Sequence, residues 1–359
     1  MKSDISRILV INPGSTSTKI AVFENDKSIF LKTIRHSTDD LKQFKRITDQ
    51  YEYRKEIIYK ELKDAGVDLH GIRVVIGRGG LVKPIASGVY RVTEELKKDL
   101  IECRMGEHAS NLGGLIADDI AKELPSAQAF IADPVVVDEL EPLARFSGHP
   151  LFERVSIFHA LNQKAIARAH AKSIMKNYDD LNLIVAHLGG GISVGAHRNG
   201  KVIDVNQALD GDGPFSPERS GTLPVGALLK AAFSGKYSYE EMKLMVKGKG
   251  GMCAYTDSNN AYEVEKSALA GDKKSYAVLE AMAYQVAKEI GAMATVLRGE
   301  VDAILITGGI ANSKWFCNFI IERVYKIAPV YVYPGEDEMG ALAENALLVL
   351  KGEIQAKEY

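Results

Sequence analysis

The sequence predicts an α/β protein of two domains related by duplication. Three observations carry this: a strand, turn, strand, turn, strand unit near the start, a second such unit near residue 183, and alternating strands and helices after each. The first unit opens with "LVINPGSTSTKIAVF". Ile8 to Ile11 reads as a short buried strand and Lys19 to Phe23 as a second, with the polar turn of "ENDKSIFLK" leading into a third. The second unit is "LNLIVAHLGGGISVGAHRNGKVIDV". Here Leu183 to Ala186 is a strand, a glycine turn follows, and Asn199-Gly200 signals a type I′ hairpin before Val202 to Val205. Two copies of one unit imply two similar halves with a cleft between them.

A third strand and turn, "AILITGGIANSKWF", differs because Gly308 and Gly309 lead into a helix, where free N–H groups suit a phosphate or ribose. Between these landmarks Thr93 is placed to cap "EELKKDLIE", and "SNLGGLIADDIAKELP" runs to a proline stop. The segment "KSYAVLEAMAYQVAKEIGAMATVL" is apolar on more than one face, as expected of a helix buried between sheet and neighbour. The 359 residues suit about two domains. With no low-complexity linker, the boundary falls near "FERVSIFHALNQ". The first domain then spans 1–155 and the second, nucleotide-binding, 156–339, with a closing helix over about 340–359 packing back on the first.

An apolar fraction of 46% and a charged fraction of 26% describe an ordinary globular chain, and a net charge of −2 supplies no basic field for nucleic acid or anionic lipid. A small substrate is expected. Cys103, Cys253 and Cys317 are odd in number and never in C-x-x-C spacing, which argues against a disulfide framework or a thiolate zinc site. The start "MKSDISRILVIN" carries no signal sequence, and no run approaches the ~18 apolar residues of a membrane helix. A cytoplasmic protein with no membrane partner follows.

In "NPGSTSTK" a glycine lets the backbone turn sharply while Ser15, Thr16, Ser17 and Thr18 add hydroxyls and Lys19 a charge, which suits a phosphate and its Mg²⁺. It is not a Walker A loop, since G-x-x-x-x-G-K-[ST] is absent and a strand follows. A solvated hairpin whose hydroxyls satisfy its own backbone would look the same, and the glycines of "HLGGGIS" would equally serve close packing. Their recurrence in matching units favours phosphate. Arg78 in "VVIGRGGLVKP" follows an apolar strand and is placed to clamp a phosphate or carboxylate, or else lies exposed in a loop. Arg219 in "GPFSPERSGTLP" and Asp133 in "AFIADPVVVDE" stand in turns, where a surface arginine and a turn cap compete with functional roles. His108, His159 and His187 lack the i, i+4 pairing of a zinc site, and Ser15 and Ser17 show no G-x-S-x-G elbow.

Taken together, "VINPGSTSTKIAVF", "IGRGGLVKP", "EHASNLGGLIA", "IADPVVVDE", "IFHALNQKAIAR", "AHLGGGISVGAHRNGKVIDV", "SPERSGTLP", "ITGGIANS" and "YPGEDEMGALAE" resemble, in family order, the acetate and butyrate kinase family of the actin-like (ribonuclease H-like) superfold. The forms "GRGGLVKP", "HASNLGG" and "GEDEM" are similar to its butyrate and branched-chain carboxylate branch. The resemblance implies reversible Mg²⁺-dependent phosphoryl transfer between ATP and a short-chain carboxylate, giving an acyl phosphate and ADP in a nucleotide cleft, and a homo-oligomer. It implies that Asn12, Ser15, Ser17 and Lys19 form one phosphate loop, and that Gly189, Gly190 and Gly191 with His187 form the other. Acetate kinases carry asparagine where Gly190 stands. The resemblance also implies that Arg78 and Arg219 bracket the carboxylate and transferring group, that His159 bonds the equatorial oxygens, and that Asp133 orients an arginine and the metal shell. By the same resemblance His108 lies near the acyl site, Gly308, Gly309 and Asn312 meet the adenosine, and Asn12 with Asp337 or Glu338 serves Mg²⁺. A sugar or polyol kinase of the same superfold, which needs a base beside its hydroxyl, and a non-enzymatic ATP-switched binding module are the competing readings.

Overall fold

Nearly continuous burial of the first two strands puts them at the core of the first sheet. In β1 (Arg7–Pro13) and β2 (Ser17–Glu24), Leu9, Ile11, Ile20 and Val22 share one packed cluster, and the chain turns into β3 (Lys27–Arg35) through Asn25 at φ +56°. The computed structural model of the chain describes residues 6–359. After α1 (Thr38–Lys42) and α2 (Tyr51–Asp64) come β4 (Ile72–Arg78), β5 (Val89–Arg91), α3 (Glu94–Glu102), α4 (Asn111–Lys122) and β6 (Gln128–Ala132). Thr93 caps α3 by accepting from Leu96 N–H, as its sequence anticipates. The sheet order is β3-β2-β1-β4-β6-β5, antiparallel over β1 to β3 and parallel from β1 through β4 to β6.

The second sheet repeats this plan. Following α5 (Ala160–Ser173), the strands β7 (Leu183–Leu188), β8 (Ile192–Arg198) and β9 (Lys201–Val205) form an antiparallel meander, with Asn199 and Gly200 both at positive φ in the hairpin. Lys164, buried in α5, reaches Glu139 Oε2 at 2.6 Å and Gly200 O at 2.7 Å, tying that hairpin to the helix. Five helices then precede the next strand: α6 (Val225–Ala232), α7 (Tyr239–Val246), α8 (Met252–Thr256), α9 (Ala261–Leu269) and α10 (Lys273–Val296). Parallel strands β10 (Ala303–Gly308) and β11 (Val330–Pro334) flank α11 (Lys314–Val324), and α12 (Glu338–Leu350) closes the chain. The order β11-β10-β7-β8-β9 matches β6-β4-β1-β2-β3 in connectivity and direction once the three-residue edge strand β5 is set aside.

Helices cover both faces of this second sheet, as its wholly buried strands β7 and β10 require: α10 and α11 share one cluster with Ile184, Ala186 and Ile306, while Ala167 and Ala171 of α5 pack with Leu183, Val185 and Leu305. The chain divides into two units, Met1–Val137 with Asp337–Tyr359, and Asp138–Glu336. Residues 138–155 therefore belong with the second unit, where the sequence reading put them in the first. They do so because Glu139 and Glu141 bond the β8–β9 hairpin region, through Val202 N–H and Arg198. The last helix packs on β1 and β4 of the first unit. All three cysteines are free thiols, and among the described residues no helix is long and apolar enough to cross a membrane.

Gly77 in β4 and Gly113 in α4 face each other without side chains. A methyl group on Gly113 would fall inside contact distance of Arg78 O, so the glycine pair in "NLGGLIA" lets the helix seat against the strand end that carries Arg78. Gly113→Ala should cost about 1–3 kcal/mol of stability, read as a lowered urea midpoint; an unchanged midpoint would show that the helix seats elsewhere.

Candidate functional site

In the first unit the site grows from the β1–β2 turn. Gly14 N–H donates to Ser17 O at 2.7 Å, leaving Ser15 and Thr16 exposed, Ser17 half-buried and Lys19 exposed. Asn12 and Lys19 are cross-strand partners and so share a face.

Arg54 of α2 holds this turn from the protein side. Its side chain is buried, and its Nη1 donates to Gly14 O at 2.8 Å, Ser17 O at 3.1 Å and Thr18 Oγ1 at 3.0 Å. Nη2 donates to Ser15 O at 3.1 Å, and Nη2 and Nε share Gln50 Oε1 at 2.8 and 3.0 Å. Every one of these acceptors is neutral. Burial pushes the guanidinium pKa down to about 10, still cationic at neutral pH, while burial and Arg54 together push His36 down to about 4 and keep it neutral beside Thr18. Among the described residues no carboxylate bonds this guanidinium, so a positive charge sits behind a turn that the sequence marks for an anion.

The second feature of this unit is a carboxylate shared by two site residues. Glu338, in the first turn of α12, accepts from Asn12 Nδ2 at 2.6 Å and pairs with Arg78 Nη1 at 3.0 Å. Asp337 is spent on capping α12, its Oδ1 accepting from Gly340 N–H at 2.8 Å. Of the two acids that the sequence leaves as alternatives for Mg²⁺, Glu338 is the one beside Asn12. No group of three or more His, Cys, Asp or Glu side chains gathers as a metal site among the described residues. The Glu338 carboxylate and the Asn12 amide oxygen nevertheless fit Mg²⁺, which takes few protein oxygens and fills its shell with water and phosphate.

In the second unit the β7–β8 turn is closed by Gly189 N–H donating to Gly191 O at 3.0 Å, and Ser216 Oγ–H donates to Gly190 O at 2.7 Å. Gly190 is exposed with open space around it, so the turn offers bare backbone where a side chain is missing. A methyl group on Gly191 would collide with the Arg219 guanidinium, which lies flat against the turn and donates to Ala208 O at 2.5 Å. Burial lowers the pKa of Arg219, and the Glu218 and Asp210 carboxylates oppose that shift. His187, buried at the end of β7, places Nε2 at 3.2 Å from Glu336 Oε1 and stacks on His159 with ring centres 4.1 Å apart. Its Nδ1 is buried without a hydrogen-bond partner, a lack that a ligand or water would repair. His159, at the start of α5, lies 2.8 Å from Ser193 Oγ through Nδ1.

The structure thus brings together Asn12 and Arg78 in one unit, and His159, His187, Gly189 to Gly191 and Arg219 in the other. Three further groups of predicted residues have these partners in the structure. Asp133, at φ +38°, accepts at Oδ1 from Ser87 Oγ–H at 2.6 Å and Gly88 N–H at 2.8 Å, and the carboxylate paired with Arg78 is that of Glu338. His108 is exposed and meets Ser110 ahead of α4. Gly308 ends β10 and Gly309–Asn312 is a single 3₁₀ turn in which Asn312 Nδ2 donates to Gly309 O, so the helix beyond starts at Lys314 with its first turn already capped by Ser313. Arg54, Glu336, Gln163 and Ser193 escaped the sequence reading. For Arg54 a signal existed: with Ile58 and Leu62 it repeats every four residues on the buried stripe of α2.

Comparison with known proteins gives the family of the chain. The family model described as the acetokinase family matches residues 153–333. Butyrate kinase 2 of Clostridium acetobutylicum is 56% identical over 98% of this chain and 99% of its own length, and butyrate kinase 1 of the same organism is 54% identical over the same shares. The chain belongs to the acetokinase family. Its fold is also that of the crystal structure of Porphyromonas gingivalis acetate kinase, with a TM-score of 0.79 at 19% identity over 96% of this chain and 100% of the other. Arg54→Met removes the donors to two buried acceptors, Thr18 Oγ1 and Gln50 Oε1, and to three part-buried turn carbonyls, at about 1–3 kcal/mol for each buried acceptor left unpaired. Urea unfolding should show a loss of at least ~3 kcal/mol for Arg54→Met, with partial recovery in Arg54→Lys. Wild-type stability in Arg54→Met would mean that the turn is held by its own hairpin.

Proposed function

We propose that the chain is a butyrate kinase: it moves the γ-phosphoryl group of ATP reversibly onto butyrate, or a branched short-chain carboxylate, to give the acyl phosphate and ADP. The observation that carries this is identity above half to two curated butyrate kinases across nearly the whole chain. The chemistry suits the residues present. A carboxylate oxygen attacks the γ-phosphorus as the bond to the ADP oxygen breaks, and a carboxylate ionised at pH 7 needs no general base. That agrees with an Asp133 engaged by Ser87 and Gly88, and it disfavours a sugar kinase.

In this reading Arg78 and Arg219 neutralise carboxylate and phosphoryl oxygens, and His159 donates to the transferring group. Asn12, Ser15, Ser17 and Lys19 hold phosphate in the first unit; His187 and Gly189 to Gly191 do so in the second, and Gly308, Gly309 and Asn312 lie toward the nucleoside. Mg²⁺, held by Asn12 and Glu338, would shield phosphate charge. Asp337, as the cap of α12, aims Glu338. The same proposal includes a cytoplasmic setting and a homo-oligomer, supported by α6, which is apolar yet exposes Val225 and Leu229, with Phe233 just beyond it. Light scattering should return a multiple of 39.2 kDa, and Leu229→Glu should lower it if that face is the contact; an unmodified chain found at 39.2 kDa would remove the oligomer.

The deciding experiment is acyl hydroxamate formation with ATP, Mg²⁺ and hydroxylamine across acetate, propionate, butyrate, isobutyrate, valerate and isovalerate. The expected kcat/KM maximum is at butyrate or a branched four- or five-carbon acid, with discrimination per methylene of about 10–200-fold. Arg219→Ala should lower kcat by about 100-fold or more with the fold intact. No hydroxamate from any acid would overturn the assignment.

A further inference from the structure

A buried polar chain runs from the site into the second unit, and its hydrogen-bond directions can be worked out from one fixed group. Gln163 of α5 places its side-chain amide 3.1 Å from Ser193 O and 2.8 Å from Ser193 Oγ, and its other end 2.9 Å from His197 Nε2. A backbone carbonyl only accepts, so the end of the amide facing Ser193 O is the NH₂ group. Gln163 Oε1 consequently faces His197 and accepts from Nε2–H. His197 is fully buried, and burial with the nearby Lys164 and Arg168 charges keeps it neutral. Its other nitrogen, Nδ1, is then an acceptor for the Tyr178 hydroxyl at 2.7 Å.

At the site end, Ser193 Oγ accepts from Gln163 Nε2 at 2.8 Å and from His159 N–H at 3.5 Å, which takes both of its lone pairs. Its own proton is directed to His159 Nδ1 at 2.8 Å. An Nδ1–H on His159 would set two donors against each other across that contact.

We infer that Gln163, Ser193 and His197 are positioning residues that hold His159 as the neutral tautomer protonated on Nε2, a hydrogen-bond donor at Nε2 that takes up no proton at Nδ1. The donation runs Tyr178 to His197 to Gln163 to Ser193 to His159, each member polarising the next. Gln163, Ser193 and His197 are fully buried, so the order is shielded from water. The consequence for catalysis rests on the carboxylate kinase reading; the tautomer itself does not. It assigns His159 the part of a fixed neutral donor to a phosphoryl oxygen, with general acid chemistry at Nδ1 excluded.

The test is ¹⁵N-edited NMR of histidine-labelled full-length protein without substrate, with His159 assigned from His159→Gln. The wild-type spectrum should show Nε2–H and an unprotonated, hydrogen-bonded Nδ1 from pH 6 to 8. An Nδ1–H tautomer or an imidazolium at pH 7.5 overturns the inference, whatever the enzyme's activity. In Gln163→Glu the carboxyl group faces Ser193 with acceptors, so Ser193 Oγ–H should turn toward it and His159 Nδ1 should become protonated. Hydroxamate kcat should then fall about ten-fold, with KM for the carboxylate changing less. An unchanged His159 spectrum in folded Gln163→Glu would cut Gln163 out of the chain, and if that variant fails to fold the wild-type spectrum still decides.

Discussion

Much of the first unit's chemistry depends on where one guanidinium spends its donors. Arg54 takes the carbonyls of Gly14, Ser15 and Ser17, and the Thr18 hydroxyl, so the turn is tied to α2 along its inner side while Ser15 and Thr16 stay at the surface. A buried cation normally recruits a carboxylate, because an unpaired charge in a low dielectric is costly. Here the acceptors are dipoles, which satisfy the N–H groups and leave the net charge standing. Such an arrangement leaves a fixed positive charge behind the turn, held by hydrogen bonds already made.

The other unit reaches a similar end by different means. Its turn is glycine throughout, and Gly191 gives up its side chain so that Arg219 can lie against the backbone. His159 and His187 stack face to face, each bound to a different partner, Ser193 for one and Glu336 for the other. In the first unit a charge lies behind the turn; in the second a charge and two rings lie beside it. Duplication gave the same strand order twice, and the polar residues diverged on top of it.

The duplication was legible because it is written in short-range pattern: strand periodicity, two turns and an Asn-Gly hairpin at matching offsets. The candidate residues on turns were legible as well, since Pro, Gly and hydroxyl clusters announce themselves. What stayed hidden is long-range. That Glu338 meets Asn12 and Arg78 depends on a helix returning across 326 and 260 residues, and no local pattern separates Glu338 from Asp337. Gln163, Ser193 and His197 look like ordinary helix and strand residues, and their chain emerges only when α5 is laid against β8. The grouping of residues 138–155 with the second unit is long-range too, because they are held by contacts with the β8–β9 hairpin that their own composition does not signal.

The return of α12 also bears on how the molecule comes into being. Unit two is one uninterrupted stretch, whereas unit one lacks its final helix until residue 337 and beyond have been made. On a chain growing from its N-terminus, the second unit is free to fold first while β1 and β4 wait with one face uncovered. Asn12 and Arg78 meet their shared carboxylate only once residue 338 has been made. An incomplete chain would thus carry the β1–β2 turn without Glu338, the carboxylate that bonds Asn12 and pairs with Arg78.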